Sequence, residues 1–271
     1  GVIQRAAEKW NRPVVILIDE YDKPMLQAIG NEPLLNDYRN TLKAFYGVMK
    51  SCDKYIQFAL LTGVTKFSKV SVFSDLNNLM DISIDNRFAN ICGITEKELL
   101  SNFKEDIVEL GQKNGMTEEE TKAYLKDMYD GYHFVEYGDD IYNPFSLLNT
   151  FAKMKFGSYW FETGTPTFLV ELLKHSEYDL HRLTYEMATA DSLSGIDSMY
   201  TNPIPILYQS GYLTIKEYDR RFRTYTLGFP NQEVEEGFLR FLLPCYASIS
   251  KSDMAFEIVK FVQEVDSGKI N

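Results

Sequence analysis

Cysteine and histidine are both scarce in this 271-residue chain, three of each. Cys52, Cys92 and Cys245 are odd in number and far apart, which argues against a disulfide framework or a zinc site and reads them as reduced packing residues. His133, His175 and His181 lack metal-ligand spacing with any partner, so they read as structural or exposed. No run of about 18 apolar residues occurs, and no membrane span is expected. No charged-then-apolar segment opens the sequence. Positive charge is also short: 28 Lys and Arg stand against 39 Asp and Glu, a net charge of −11. Such a chain has no general attraction for a phosphate backbone. The expectation is a soluble, cytoplasmic protein without a membrane partner. Aromatic residues are plentiful, with 18 Tyr and 18 Phe, enough for one large core or two to three smaller ones.

The stretch "VVILIDEYDK" (14–23) carries the first chemistry. Val14 to Ile18 form a continuous apolar run, read as a strand covered on both faces. Pro13 suits its entrance. Val2, Ile3, Ala6, Ala7 and Trp10 recur ahead of it at helical spacing. Helix, turn and buried strand suggest a parallel α/β sheet, whose ligands sit at the carboxyl ends of strands. Asp19 and Glu20 stand at that end. They are either the solvent end of a strand or a Mg²⁺ carboxylate followed by a water-polarising base. A second strand, "IQFALLT" (56–62), also ends in polar residues, with Thr62, Thr65, Lys66 and Ser68 close together. A helical stretch from Leu34 to Cys52 joins the two. These residues read either as an ordinary Gly/Ser/Thr-rich loop or, as in an NTPase of this type, as the source of a polar residue that senses a γ-phosphate.

Taken in order, "ILIDEYDKP", "LLTGVTKFSKVSVFSDLNNL", "YDGYHF", "YNPFSLLN", "YWFETGTPTFLVELL", "LYQSGYL" and "LGFPNQEVEEGF" resemble the prokaryotic AAA-ATPase-like proteins often fused to a restriction-endonuclease-like nuclease. The resemblance covers nearly the whole chain. It implies a partial P-loop NTPase parallel sheet (1–92), a helical lid (93–156), a winged-helix-like α+β unit (157–250) and a linker (251–271) to a further domain. It also implies ATP and Mg²⁺ as cofactors, with Asp19 holding the metal through water, Glu20 activating water and Thr62 or Thr65 sensing the γ-phosphate. Arg87, in "DNRFAN", is a candidate phosphate contact, weighed against a surface ion pair.

Capping signals organise the rest. Thr95 with Glu98, and Thr117 with Glu120, form capping boxes. Asn143–Pro144 and Thr165–Pro166 read as N-caps followed by proline at the first helical position. "YDGYHF" reads as a helix end with Gly131 in a turn. "NPIPILYQSGYL" is a short helix broken by Gly211, and Asn231 caps another. Residues 212–229 read as a β-hairpin with Arg220, Arg221 and Arg223 at its tip. Residues 157–250 nevertheless contain 12 acids and 7 Lys or Arg, which favours a protein-facing or interdomain role over a DNA-facing one.

One motif is absent throughout: no G-x-x-x-x-G-K-[ST] occurs in the 271 residues. No Asp, Glu and Lys cluster suggests a metal nuclease either. The expectation is therefore a fragment whose P-loop and nuclease segments lie elsewhere in cis. Three functions stay open: an ATPase module, a non-hydrolysing regulatory or scaffold module that binds a protein partner or oligomerises, and a winged-helix DNA-binding protein.

Overall fold

A computed structural model describes residues 1–66, 79–162, 186–194 and 202–238, together with Phe73, Leu169, Leu172, Leu173 and Arg240. The fold is mixed α/β. Its first elements are α1 (Val2–Trp10), β1 (Val14–Ile18), α2 (Lys23–Gln27), α3 (Glu32–Ser51) and β2 (Ile56–Leu61). Asn11 ends α1 in the left-handed conformation (φ 47°), a conformation that asparagine tolerates well. Asn31 caps α3 by accepting from the Leu34 N–H at 3.2 Å. The α3 crossover makes β1 and β2 parallel, with Val15 opposite Phe58 and Ile18 opposite Leu61.

Alternation along the strands then decides what is buried. Ile16, Ile18, Ala59 and Leu61 pack onto a cluster that includes Leu35, Tyr46 and Met49. The opposite face carries Val15, Leu17 and Phe58, which are 58%, 70% and 53% exposed. The expectation that β1 is covered on both faces is therefore corrected. The run is apolar on both sides, yet no described element lies over the second. Val2 and Trp10 are exposed as well, and α1 buries only Ala7.

The middle of the chain is helical, as its caps imply. β3 (Ile94–Thr95) pairs antiparallel with β4 (Ile141–Tyr142) and leads into α4 (Glu96–Asn102), α5 (Lys104–Asn114) and α6 (Glu118–Tyr129), while α7 (Pro144–Lys153) follows β4. Both capping boxes form: Thr95 Oγ1 accepts from Glu98 N–H and Thr117 Oγ1 from Glu120 N–H, while each glutamate accepts from the backbone N–H of its threonine. Asn143 accepts from Phe145 and Ser146, with Pro144 at the start of α7. Leu99, Ile107, Leu110, Leu125, Tyr142 and Leu147 form part of the cluster these helices enclose.

The remaining elements are α8 (Tyr159–Glu162), β5 (Glu186–Thr189), α9 (Ala190–Leu193), α10 (Ile204–Gln209), β6 (Thr214–Asp219), β7 (Thr224–Gly228) and α11 (Gln232–Gly237). The hairpin expected over 212–229 is present as β6 and β7. A third strand, β5, joins it in the order β5-β7-β6, all antiparallel. Gly211 (φ 82°) follows α10, and Asn231 caps α11 by accepting from Val234 N–H. Gly131 (φ 92°) lies so close to the Pro230 carbonyl that a Cβ would sit 2.2 Å from its oxygen. Leu169, Leu172 and Leu173 share a core with Leu213, Leu227 and Val234, and that core is continuous with the one beneath β1 and β2. The Thr165–Pro166 cap and the 251–271 linker fall outside the described residues.

Candidate functional site at the strand ends

Parallel pairing brings the carboxyl ends of β1 and β2 to the same edge, and so joins Asp19 to Thr62. The Thr62 hydroxyl donates to Asp19 Oδ1 at 2.6 Å, and the same oxygen accepts the Glu20 N–H at 2.9 Å. Oδ2 accepts no hydrogen bond among the described residues. Asp19, Glu20 and Thr62 are all exposed, so a ligand can reach them. Glu20 has φ 53°, the left-handed region that an L residue enters at a cost of about 1–2 kcal/mol. Such strain concentrates where the fold must aim a side chain. The Glu20 carboxylate takes the Lys23 ammonium at 2.6 Å, an exposed pair whose hydrogen bond raises the lysine's pKa.

Behind this exposed edge lies a buried polar layer that sequence reasoning missed. Asp22 is fully buried, and its carboxylate crosses to the loop after β2. Oδ1 accepts the Val64 N–H at 3.2 Å, while Oδ2 accepts the Thr65 N–H at 2.5 Å and the Thr65 hydroxyl at 2.8 Å. The Tyr21 hydroxyl donates to the Thr65 carbonyl at 3.0 Å, and Tyr21 N–H donates to the Thr62 carbonyl at 3.0 Å. Burial, aided by the nearby Asp22 charge, pushes the Tyr46 phenol's pKa up. Thr65 is thus 2% exposed, with its hydroxyl committed to Asp22. Of the two candidate threonines, Thr62 alone presents its side chain at the open edge. The sequence signal for Asp22 was a third acid two residues after the pair. What it lacked was the partner, more than 40 residues away.

The loop continues into Lys66, whose N–H donates to Gln209 Oε1 at 2.5 Å and whose ammonium pairs with Asp81. Burial opposes the Asp81 charge, yet hydrogen bonds from Lys66 and Ser83 hold its carboxyl below the ordinary range. Gln209 also donates to the Leu193 carbonyl at 2.7 Å, so α10 is tied to the loop on one side and to the end of α9 on the other. Ser68 lies outside the described residues.

Arg87 is not joined to the strand-end group. It donates to both Asp85 oxygens and to Met80 Sδ, and lies over the Phe88 ring. Its hydrogen bonds hold the Asp85 carboxyl down at about 2. The ion-pair alternative describes its present partners. At the hairpin tip, Arg220 stacks 4.9 Å from the Tyr137 ring and Arg221 lies over Phe222. Cys52 and Cys92 are free thiols, and Cys92 is exposed rather than packed. The expectation of packed thiols fails there; Cys245 lies outside the described residues. His133 has a structural partner, Asp140, at 2.9 Å. His175 and His181 also lie outside the described residues.

Residues 1–73 match the family described as predicted AAA-ATPase. That stretch includes α1 to β2, Asp22 and the whole loop from Thr62 to Lys66. An uncharacterised protein from the vnfD 5′ region of Azotobacter chroococcum mcd 1 is 40% identical over 256 residues, covering 92% of this chain and 47% of that protein. The chain therefore spans about half the length of this curated relative. No solved structure matches.

Proposed function

We propose that the strand-end group is the acidic half of an ATP-hydrolysing site. Asp19 would hold Mg²⁺ through water, Glu20 would polarise the attacking water, and Thr62 would contact the γ-phosphate. The observation that carries this reading is the 2.6 Å bond between Thr62 and Asp19 across two parallel strands at their carboxyl ends. The donor set fits a hard cation: Mg²⁺ is held by one or two carboxylates plus waters and substrate phosphates rather than by an all-protein cage. The metal, when bound, supplies charge stabilisation for phosphoryl transfer. Asp19 would hold the metal, and the Thr62 hydroxyl is kept against that carboxylate.

The glycine-rich lysine motif is absent from these 271 residues, so on this reading a phosphate cradle would come from another segment. In the full-length protein, Glu20→Gln should lower kcat by about 10²-fold or more while sparing ATP affinity, as loss of a general base does. Asp19→Ala should remove the Mg²⁺ dependence of ATP binding. Unchanged turnover in both variants would sink the reading. Residues 1–271 alone should bind ATP–Mg²⁺ negligibly, because cradle amides and lysine supply most phosphate recognition. Micromolar binding by calorimetry would relocate the phosphate site.

Residues 157–250 are read as a winged-helix-like unit that faces protein, on the order helix, strand, two short helices, hairpin and helix. The helix before the hairpin is the one that such units place in a DNA groove. Here that helix is α10, and its Ile204, Ile206, Leu207 and Tyr208 are at most 5% exposed. It is spent on the core and on the Thr62–Lys66 loop. Generic duplex DNA should bind weakly at physiological salt, and replacing Arg220, Arg221 and Arg223 with alanine should change little. Tight binding with a steep salt slope, abolished by those replacements, would restore the DNA reading.

A further inference from the structure

Asp22 sits at the start of α2, yet its side chain makes no capping bond to that helix. A fully buried carboxylate is costly to keep unless donors surround it. Its donors all come from the other strand's loop: two backbone N–H groups and one hydroxyl, at Val64 and Thr65. Tyr21 adds two bonds alongside, one to Thr65 and one to Thr62. The Thr62 N–H closes the set by donating to the Ile18 carbonyl at 2.8 Å. Residues 18–22 and 62–65 are thus laced together on the buried side, while the Thr62 hydroxyl and Asp19 meet on the open side.

Gly63 shows how closely the carboxylate is fitted. A Cβ there would lie 2.4 Å from Asp22 Oδ1 and 2.9 Å from the Tyr21 ring. The loop passes directly over the buried acid, and no side chain has room between them. A carboxylate accepts at both oxygens, whereas a carboxamide offers one acceptor and two N–H donors. Asparagine would therefore place donors against donors at Val64 or Thr65.

We propose that Asp22 is a positioning residue whose carboxylate holds the Thr62–Thr65 loop so that the Thr62 hydroxyl stays against Asp19. The role rests on the strand-end group being the hydrolytic site. Asp22 is fully buried behind the open edge and acts through the loop. In that capacity it would affect the chemical step more than ground-state binding, because Thr62 is aimed where the γ-phosphate charge develops.

The test uses the full-length protein with ATP and Mg²⁺. Asp22→Asn should lower kcat by about tenfold to a hundredfold, the scale of a small misplacement of reacting groups, with KM shifting by less than about threefold. Thr65→Val, which removes the hydroxyl at nearly constant volume, should act in the same direction with a smaller loss. Thr65→Ser should restore turnover. Amide hydrogen exchange at Val64 and Thr65 should be faster in both impaired variants, while exchange in α5 to α7 stays unchanged. If Asp22→Asn does not fold, the Thr65 pair carries the test. Wild-type turnover with kcat intact in Asp22→Asn or Thr65→Val overturns the positioning role and leaves the ATPase reading standing. No wild-type turnover, with exchange still accelerated in the variants, overturns the ATPase reading and with it any positioning role. In that case the lacing is structural only. A loss carried entirely by KM would also overturn the proposal.

Discussion

Glu20 holds a backbone conformation that glycine would occupy without strain. Relief of about 1–2 kcal/mol of left-handed strain outweighs the roughly 0.5–1 kcal/mol of extra chain entropy that glycine adds to the unfolded state. Glu20→Gly should therefore stabilise the fold by about 0.5–1 kcal/mol in denaturant titration while abolishing turnover. A loss of stability would mean that the Lys23 pair matters more than exposed pairs usually do, about 0–1 kcal/mol. Gly63→Ala is the opposite case. The added methyl meets Asp22 at 2.4 Å, and overpacking of this kind costs about 1–3 kcal/mol. It should destabilise the protein and accelerate exchange at Val64 and Thr65 together.

Among the elements, the capping boxes give the clearest pH dependence. Backbone and side-chain hydrogen bonds from Thr95 and Thr117 hold the Glu98 and Glu120 carboxyls below their ordinary range. A depressed folded-state pKa contributes stability above the unfolded value and loses it as pH falls through the folded value. Thermal melts should thus decline below about pH 4.3, the ordinary glutamate value. Thr117→Ala should cost about 1 kcal/mol near neutrality and flatten part of that decline. These boxes were legible because every participant lies within four residues, as were the Asn143 and Asn231 caps and the hairpin. The strand ends at Asp19 and Thr62 were legible for a similar reason: an apolar run stops where polar residues begin. Contacts set by tertiary geometry were not. Asp22 meets Thr65 and Lys66 meets Gln209 only after distant segments are brought together. Nor does an apolar run record whether anything covers its second face, which is why β1 misleads. Gln209→Leu should leave the Lys66 N–H without its acceptor and cost about 1–3 kcal/mol, read by urea unfolding.

At the scale of the molecule, buried phenols set the alkaline limit. Burial raises the pKa of Tyr132, Tyr142, Tyr208 and Tyr212, in each case as the leading cause. A group whose folded pKa lies above its unfolded value gives stability that is whole below about pH 10 and is lost as pH rises further. The tyrosinate absorbance of these four phenols, isolated as the difference from variants carrying phenylalanine at each, should consequently appear in step with loss of tertiary signal, not before it. Early titration without unfolding would show these rings to be reachable by solvent. The sheet face that no described element covers has a consequence in ionic strength. Val15, Leu17 and Phe58 favour contact between copies, while a net charge of −11 keeps the copies apart. Only the second of these is screened: the Debye length falls from about 10 Å at 0.1 M salt to about 3 Å at 1 M. Light scattering from residues 1–271 should therefore rise with added sodium chloride, where a molecule held together by surface ion pairs would dissociate. Leu17→Lys, which adds charge to that face itself, should abolish the rise.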